Sequence, residues 1–134
     1  MILLDTVVLS ELRKTRPSAK VLAWLHKQQP DQLFISVVSL GEIERDIVKA
    51  RKTEAEFARS LTVWLEDLVL LYSDRILPVS APIARRWGSL SAELGHDGAD
   101  LLIAATALEH SLTVATRNVR HFTSTEVGVV NPFV

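Results

Sequence analysis

The sequence predicts an α/β fold, a three-layer α/β/α sandwich built on a mainly parallel β-sheet. Two observations predict it. Short apolar runs of strand length alternate with longer stretches of helical periodicity along the whole chain. The composition, 48% hydrophobic and 23% charged over 134 residues, suits one domain, residues 1–134, with a single sizeable core.

The elements follow in order. Ile2 to Leu4 is an apolar run ended by Asp5-Thr6, after which Val7, Val8, Leu9 and Leu12 continue with helical spacing, so a strand leads into a helix. Pro17 suits the first turn of a second helix, whose stripe is Val21, Leu22, Trp24 and Leu25 before Pro30-Asp31 interrupts it. A second strand is expected at Leu33 to Ser36. From Val37 to about Tyr72, good helix formers carry periodic Ile43, Ile47, Leu61, Trp64, Leu65 and Leu68; two antiparallel helices broken near Lys52-Thr53 account for this. Ile76-Leu77-Pro78-Val79 reads as a strand and Ser80 to Leu94 as a helix, with Pro82 in its first turn and Gly95 ending it. Asp100 then opens an apolar helix, DLLIAATALEH, followed by a strand at Leu112 to Ala115 and a last apolar piece around Val127 to Val130. No repeat, linker or low-complexity tract interrupts the pattern.

Composition excludes several classes of function. Fifteen Lys and Arg against sixteen Asp and Glu leave a formal charge of −1, so no overall basic footprint drives nucleic-acid binding and any such contact must be local. The absence of cysteine removes disulfide scaffolds, thiolate zinc sites and cysteine nucleophiles. The opening MILLD lacks the basic segment of a signal peptide, and no apolar run approaches the roughly 20 residues of a membrane span. A cytoplasmic location is the default expectation.

In open parallel sheets, ligands sit at the carboxyl ends of the strands. Asp5 falls at such an end, and Thr116, Arg117 and Asn118 follow the strand around Val114. Glu42 and Asp100 lie near helix starts that face the same edge, so three acids from three distant segments can converge there. Carboxylates without histidine partners suit a hard cation, Mg²⁺ or Mn²⁺, whose common use is phosphoryl chemistry. Each acid also has a plainer reading. Asp5 can cap the helix that follows it. Ser39-Leu40-Gly41-Glu42 fits a capping box, and Asp100 can complement its helix dipole. Arg117 and Arg120, just past a strand end, are placed to hold phosphates, unless they are surface-loop residues. The other basic groups read as solvated helix faces. His26, His96, His110 and His121 lack zinc spacing, no Gly-rich phosphate loop or nucleophile elbow is present, and Trp24, Trp64 and Trp87 fall in helical patterns as core.

Taken together, these segments resemble the PIN-domain family, and within it the bacterial VapC and FitB-like toxins of toxin–antitoxin modules. The family's opening D-T-N-V-(L/I)-S-E appears as Asp5-Thr6-Val7-Val8-Leu9-Ser10-Glu11. Its central S-x-x-(S/T)-x-x-E is Ser36 to Glu42, and its D-x-x-I-A-A-T-A is Asp100 to Ala107. Thr113-Val114-Ala115-Thr116-Arg117-Asn118 and a closing Val130-Asn131-Pro132-Phe133 complete a match that runs along essentially the whole chain.

The resemblance implies an endoribonuclease dependent on Mg²⁺ or Mn²⁺, with Asp5, Glu42 and Asp100 as metal ligands and catalytic acids. Thr6, Thr116, Arg117 and Asn118 would position water, ligands or RNA. It further implies a cognate VapB/FitA-like antitoxin, an RNA substrate and a homodimer. Two positions depart from the family pattern: Val7 stands where Asn is usual, and His121 where a fourth acid is common. These departures keep a second class of function open, a catalytically silent binding or scaffold module. A D-x-D phosphatase is disfavoured, because it needs an acid where Val7 stands.

Overall fold

The computed structural model describes residues 1–134. Five strands, β1 (Ile2–Leu4), β2 (Leu33–Ser36), β3 (Ile76–Leu77), β4 (Thr113–Ala115) and β5 (Val129–Val130), form one sheet in the order β3-β2-β1-β4-β5. Every pairing is parallel, with Ile2 opposite both Leu33 and Thr113, and Leu4 opposite Ala115. The helices are α1 (Thr6–Leu12), α2 (Ala19–His26), α3 (Val37–Ala50), α4 (Ala55–Leu71), α5 (Ala81–Leu94) and α6 (Ala99–His110). Short 3₁₀ turns lie at Pro30–Gln32, Val119–His121 and Thr123–Thr125. No helix is long and apolar enough to cross a membrane.

The period of two along each strand sends successive side chains to opposite faces of the sheet, and both faces are covered. Leu4, Ile35 and Ala115 join Val8, Leu9, Val21, Ile43, Ile47, Leu61 and Leu68 in a core beneath α1 to α4. Their neighbours Leu3 and Val114 point the other way, into a core with Ile103, Ala104, Ala107 and Phe122 under α6. Each fully buried leucine or isoleucine contributes about 1.5–3 kcal/mol relative to an exposed one, so a one-residue register slip in β1 would empty both cores at once. α6 is apolar on almost every side because it is sandwiched: the sheet covers one flank and α5 the other.

The expected elements are present, with shifts at their ends. The break near Lys52-Thr53 is the turn between α3 and α4. Pro17 precedes the second helix rather than opening it, because the Ser18 hydroxyl accepts the Val21 N–H and so makes Ser18 the N-cap. β3 stops at Leu77, before Pro78, which has no N–H for a ladder. Gly95 closes α5 in the left-handed conformation at φ 76°. One anchor lies outside the periodic pattern: the Arg75 guanidinium donates to the carbonyls of Pro30, Leu33 and Leu71, and lies over the Tyr72 ring. It thereby ties the end of α4 to the start of β2.

The topology fixes where a site can form. From β1 the chain moves outward through β2 to β3, then returns to place β4 on the other flank of β1. The strand order therefore reverses between β1 and β4, and the crevice outside their carboxyl ends is where such sheets bind ligands.

Candidate active site at the carboxyl edge of the sheet

Asp5 follows β1 directly and stands in that crevice. Its backbone N–H donates to the Ala115 carbonyl at 3.0 Å, so the residue is pinned to the end of β4 before its side chain makes any contact. The residue is only 4% exposed. Oδ1 accepts the Thr6 N–H at 2.8 Å and Oδ2 accepts the Thr116 hydroxyl at 2.7 Å. Asp5 is therefore the cap of α1, as the plainer reading held, and its second oxygen is held across the sheet as well.

Burial raises the Asp5 pKa above the ordinary carboxylate range, opposed by the bonds from Thr116 and Thr6. The negative charges of Asp100 and Glu42 push it up further. Two acids up to 95 residues away in sequence therefore act on Asp5 at this edge.

Glu42 lies in the second turn of α3. The capping-box reading fails here, because α3 begins at Val37 and its cap is Ser36, whose hydroxyl accepts the Val38 N–H. Glu42 Oε1 instead accepts the Thr6 hydroxyl at 2.7 Å, and Thr6 shares a second bond of 2.8 Å with the buried Ser39 hydroxyl. Thr6 has one hydrogen to give, so when it serves Glu42, Ser39 supplies the proton for the other bond. Asp100 sits in the first turn of α6, where its charge complements the helix dipole, and its Oδ2 lies 2.6 Å from His121 Nδ1.

The remaining residues group around this edge. Thr116 is fully buried; besides holding Asp5, its hydroxyl accepts the Asn118 N–H at 2.9 Å. The Asn118 side chain makes no capping bond and is exposed. Arg117 is also exposed, and its guanidinium lies 3.8 Å from the centre of the Phe133 ring. Arg120 is exposed in the 3₁₀ turn that follows. Ser39 and the His121 contact were missed as site features from sequence. Ser39 stands at the (S/T) position of the central motif, which was the available signal.

No three Asp, Glu or His side chains converge closely enough to enclose a metal ion. The donor set nonetheless fits a hard divalent cation. Mg²⁺ is commonly bound by one or two carboxylates with water completing the shell, and the mutual repulsion felt at Asp5 is what a cation relieves. Glu42 and Asp100, at 24% and 30% side-chain exposure, leave the edge open to solvent. The main surface concavities lie elsewhere, two of them lined by Ser60 and Trp64 of α4, and none contains these acids. An open edge suits a long polymeric substrate better than a small enclosed molecule.

A parallel α/β sheet with Asp5 buried at its topological switch point, and Glu42 and Asp100 acting on it, is a frame that several nuclease and phosphoryl-transfer domains could share, and comparison with known proteins decides among them. The PIN domain family model matches residues 2–126, and the chain belongs to that family. It is 35% identical to Toxin FitB of Neisseria gonorrhoeae, covering 99% of both chains. It is 32% identical to VapC ribonuclease Y4jK of Sinorhizobium fredii, covering 99% of this chain and 98% of that one. Among solved structures, FitAcB from Neisseria gonorrhoeae superposes with a TM-score of 0.86 at 35% identity over 99% of each chain. A toxin–antitoxin complex from Klebsiella pneumoniae gives 0.72 at 28% identity over 98% of each chain.

Proposed function

We propose that residues 1–134 act as one PIN domain, a metal-dependent endoribonuclease that is the toxin of a toxin–antitoxin pair. The observation that carries this reading is the Asp5 carboxylate, buried at the switch point and hydrogen-bonded on both oxygens, its pKa raised chiefly by that burial and further by Asp100 and Glu42. Capping α1 accounts for Asp5 alone, whereas a cation site also accounts for the acids Glu42 and Asp100 beside it. The relatives called VapC ribonuclease and Toxin FitB support the same assignment.

In this reading Asp5, Glu42 and Asp100 hold Mg²⁺ or Mn²⁺. When bound, such an ion acts as a Lewis acid and yields a strong nucleophile near neutral pH. The protein's own groups do the positioning. Thr116 fixes the Asp5 carboxylate, and Thr6, steadied by Ser39, fixes Glu42. Asn118, exposed beside Thr116, orients water or a phosphate oxygen. Arg117 and Arg120 face solvent past the end of β4, where they meet the phosphate backbone of RNA. A cognate VapB/FitA-like antitoxin restrains the activity, and the active species is a homodimer.

The test is cleavage of a defined RNA by protein purified free of antitoxin, with Mg²⁺ or Mn²⁺ and with EDTA, beside Asp5→Ala and Asp100→Ala. Metal-dependent cutting lost in both variants supports the reading. Equal cutting by all three proteins points to a contaminating nuclease, and no cutting together with no metal binding favours the scaffold module.

A further inference from the structure

The segment after β5 packs beside the residues that follow β4. β5 is laid beside β4, and the Thr116 N–H donates to the Val130 carbonyl at 3.0 Å. Asn131 Oδ1 then accepts the Phe133 N–H at 3.0 Å, an Asx turn, and the buried Pro132 between them fixes the backbone. This turn places the Phe133 ring partly against the main core and partly under Arg117.

Arg117 takes part in no ion pair. Its direct partner is the Phe133 face, 3.8 Å away, well within the roughly 6 Å over which a cation and a ring attract. Glu11, whose pKa is lowered chiefly by the bonds from Lys14 and the Ser18 N–H, also feels the positive charge of Arg117. Arg117 is thus held between an aromatic face and a distant carboxylate. It stands between Thr116, which orients Asp5, and Asn118, whose N–H closes onto the Thr116 hydroxyl at 2.9 Å.

The geometry points to Phe133 as a positioning residue for the acidic edge: by stacking under Arg117 it sets the Thr116–Asn118 turn, and through Thr116 the Asp5 carboxylate. The ring touches no reacting atom and acts through Arg117. Its aromatic face, beyond its apolar volume, is what the site requires. The metal arm of this inference rests on the proposed nuclease reading, while the turn itself can be followed in the metal-free protein.

Two substitutions separate face from volume. Phe133→Leu keeps apolar filling and removes the ring; Phe133→Tyr keeps the ring. Solvent exchange of the Asn118 amide, read by NMR without metal, should accelerate up to about fivefold in Phe133→Leu, on the scale of a lost exposed cation–π contact, and stay near the wild-type rate in Phe133→Tyr. The β1 amides should be unchanged in both. Titration with Mn²⁺ should show affinity weakened about fivefold in Phe133→Leu, less than the roughly 10–100-fold for loss of a group that contacts a metal ligand directly, and restored in Phe133→Tyr. Wild-type exchange at Asn118 in Phe133→Leu, or equal disturbance by both variants, would overturn the inference. If the wild type binds no Mn²⁺, the nuclease reading fails, and the Asn118 exchange pattern still decides the role of Phe133.

Discussion

The Thr116 hydroxyl donates to Asp5 Oδ2 at 2.7 Å, joining two buried residues 111 positions apart in sequence. The bond crosses from the end of β4 to the end of β1, the point where the sheet order reverses. It satisfies a carboxylate oxygen that has almost no access to water, and it fixes the direction in which that carboxylate faces the edge.

Thr116→Val therefore leaves a buried, charged oxygen without a donor at nearly constant volume. The expected cost is about 1–3 kcal/mol, seen as a lower midpoint in urea unfolding, together with weaker metal binding. Thr116→Ser, which keeps the hydroxyl, should recover most of both.

Asp5→Asn should stabilise the metal-free protein at neutral pH while abolishing metal-dependent activity. The Asp5 pKa is raised in the folded state, first by burial. Between the unfolded and folded pKa values the folded protein thus holds a proton that the unfolded chain has released, and this contribution is complete below the unfolded pKa and lost as pH rises through the folded one. Asparagine removes the buried charge and can still accept the Thr6 N–H. A melting temperature that is higher than wild type at pH 7, with the difference shrinking toward mild acid, is the expected thermal-unfolding result.

Glu11 should show the opposite pH dependence. Its pKa is lowered by the bond from Lys14, 2.8 Å away, and by the Ser18 N–H at 2.9 Å. A depressed carboxyl stabilises the fold above its unfolded pKa, and that stability is lost as pH falls through the folded pKa. Glu11→Gln should therefore lower the melting temperature at neutral pH and converge with wild type as the pH drops below the carboxylate range.

Thr6→Val should free Glu42 without touching Asp5's main-chain cap. It removes the hydroxyl shared by Glu42 and the fully buried Ser39, leaving Ser39 without its only side-chain partner. The stability loss should be about 1 kcal/mol or somewhat more, and RNA cleavage should fall further than stability alone explains. Comparing the variant well below its melting temperature checks this.

Much of this arrangement was legible in the sequence because the local and long-range signals agree. The apolar runs at Ile2–Leu4 and Leu33–Ser36 are strands buried on both faces, and Asp5 and Thr116 mark their edge because each ends an apolar run. Glu42 shows where local reading stops. Its spacing from Ser39 mimics a capping box, but Ser36 takes the cap and α3 starts three residues before that reading requires. Which serine wins depends on where β2 ends, and that is set by pairing with β1 and β3. The stacking of Arg117 on Phe133 was likewise illegible, since it needs the turn at Asn131 and the β4–β5 register together. Contacts of this kind are properties of the assembled edge.

The most direct test of the central claim, that Asp5 anchors a divalent-cation site, is calorimetric titration of Mn²⁺ into the wild type and into Asp5→Asn at pH 7. Saturable binding to the wild type and none to a folded Asp5→Asn is the expected outcome. Equal binding by the two proteins, or no binding to the wild type at millimolar Mn²⁺ (an order-of-magnitude upper limit for a specific divalent-cation site), would contradict it.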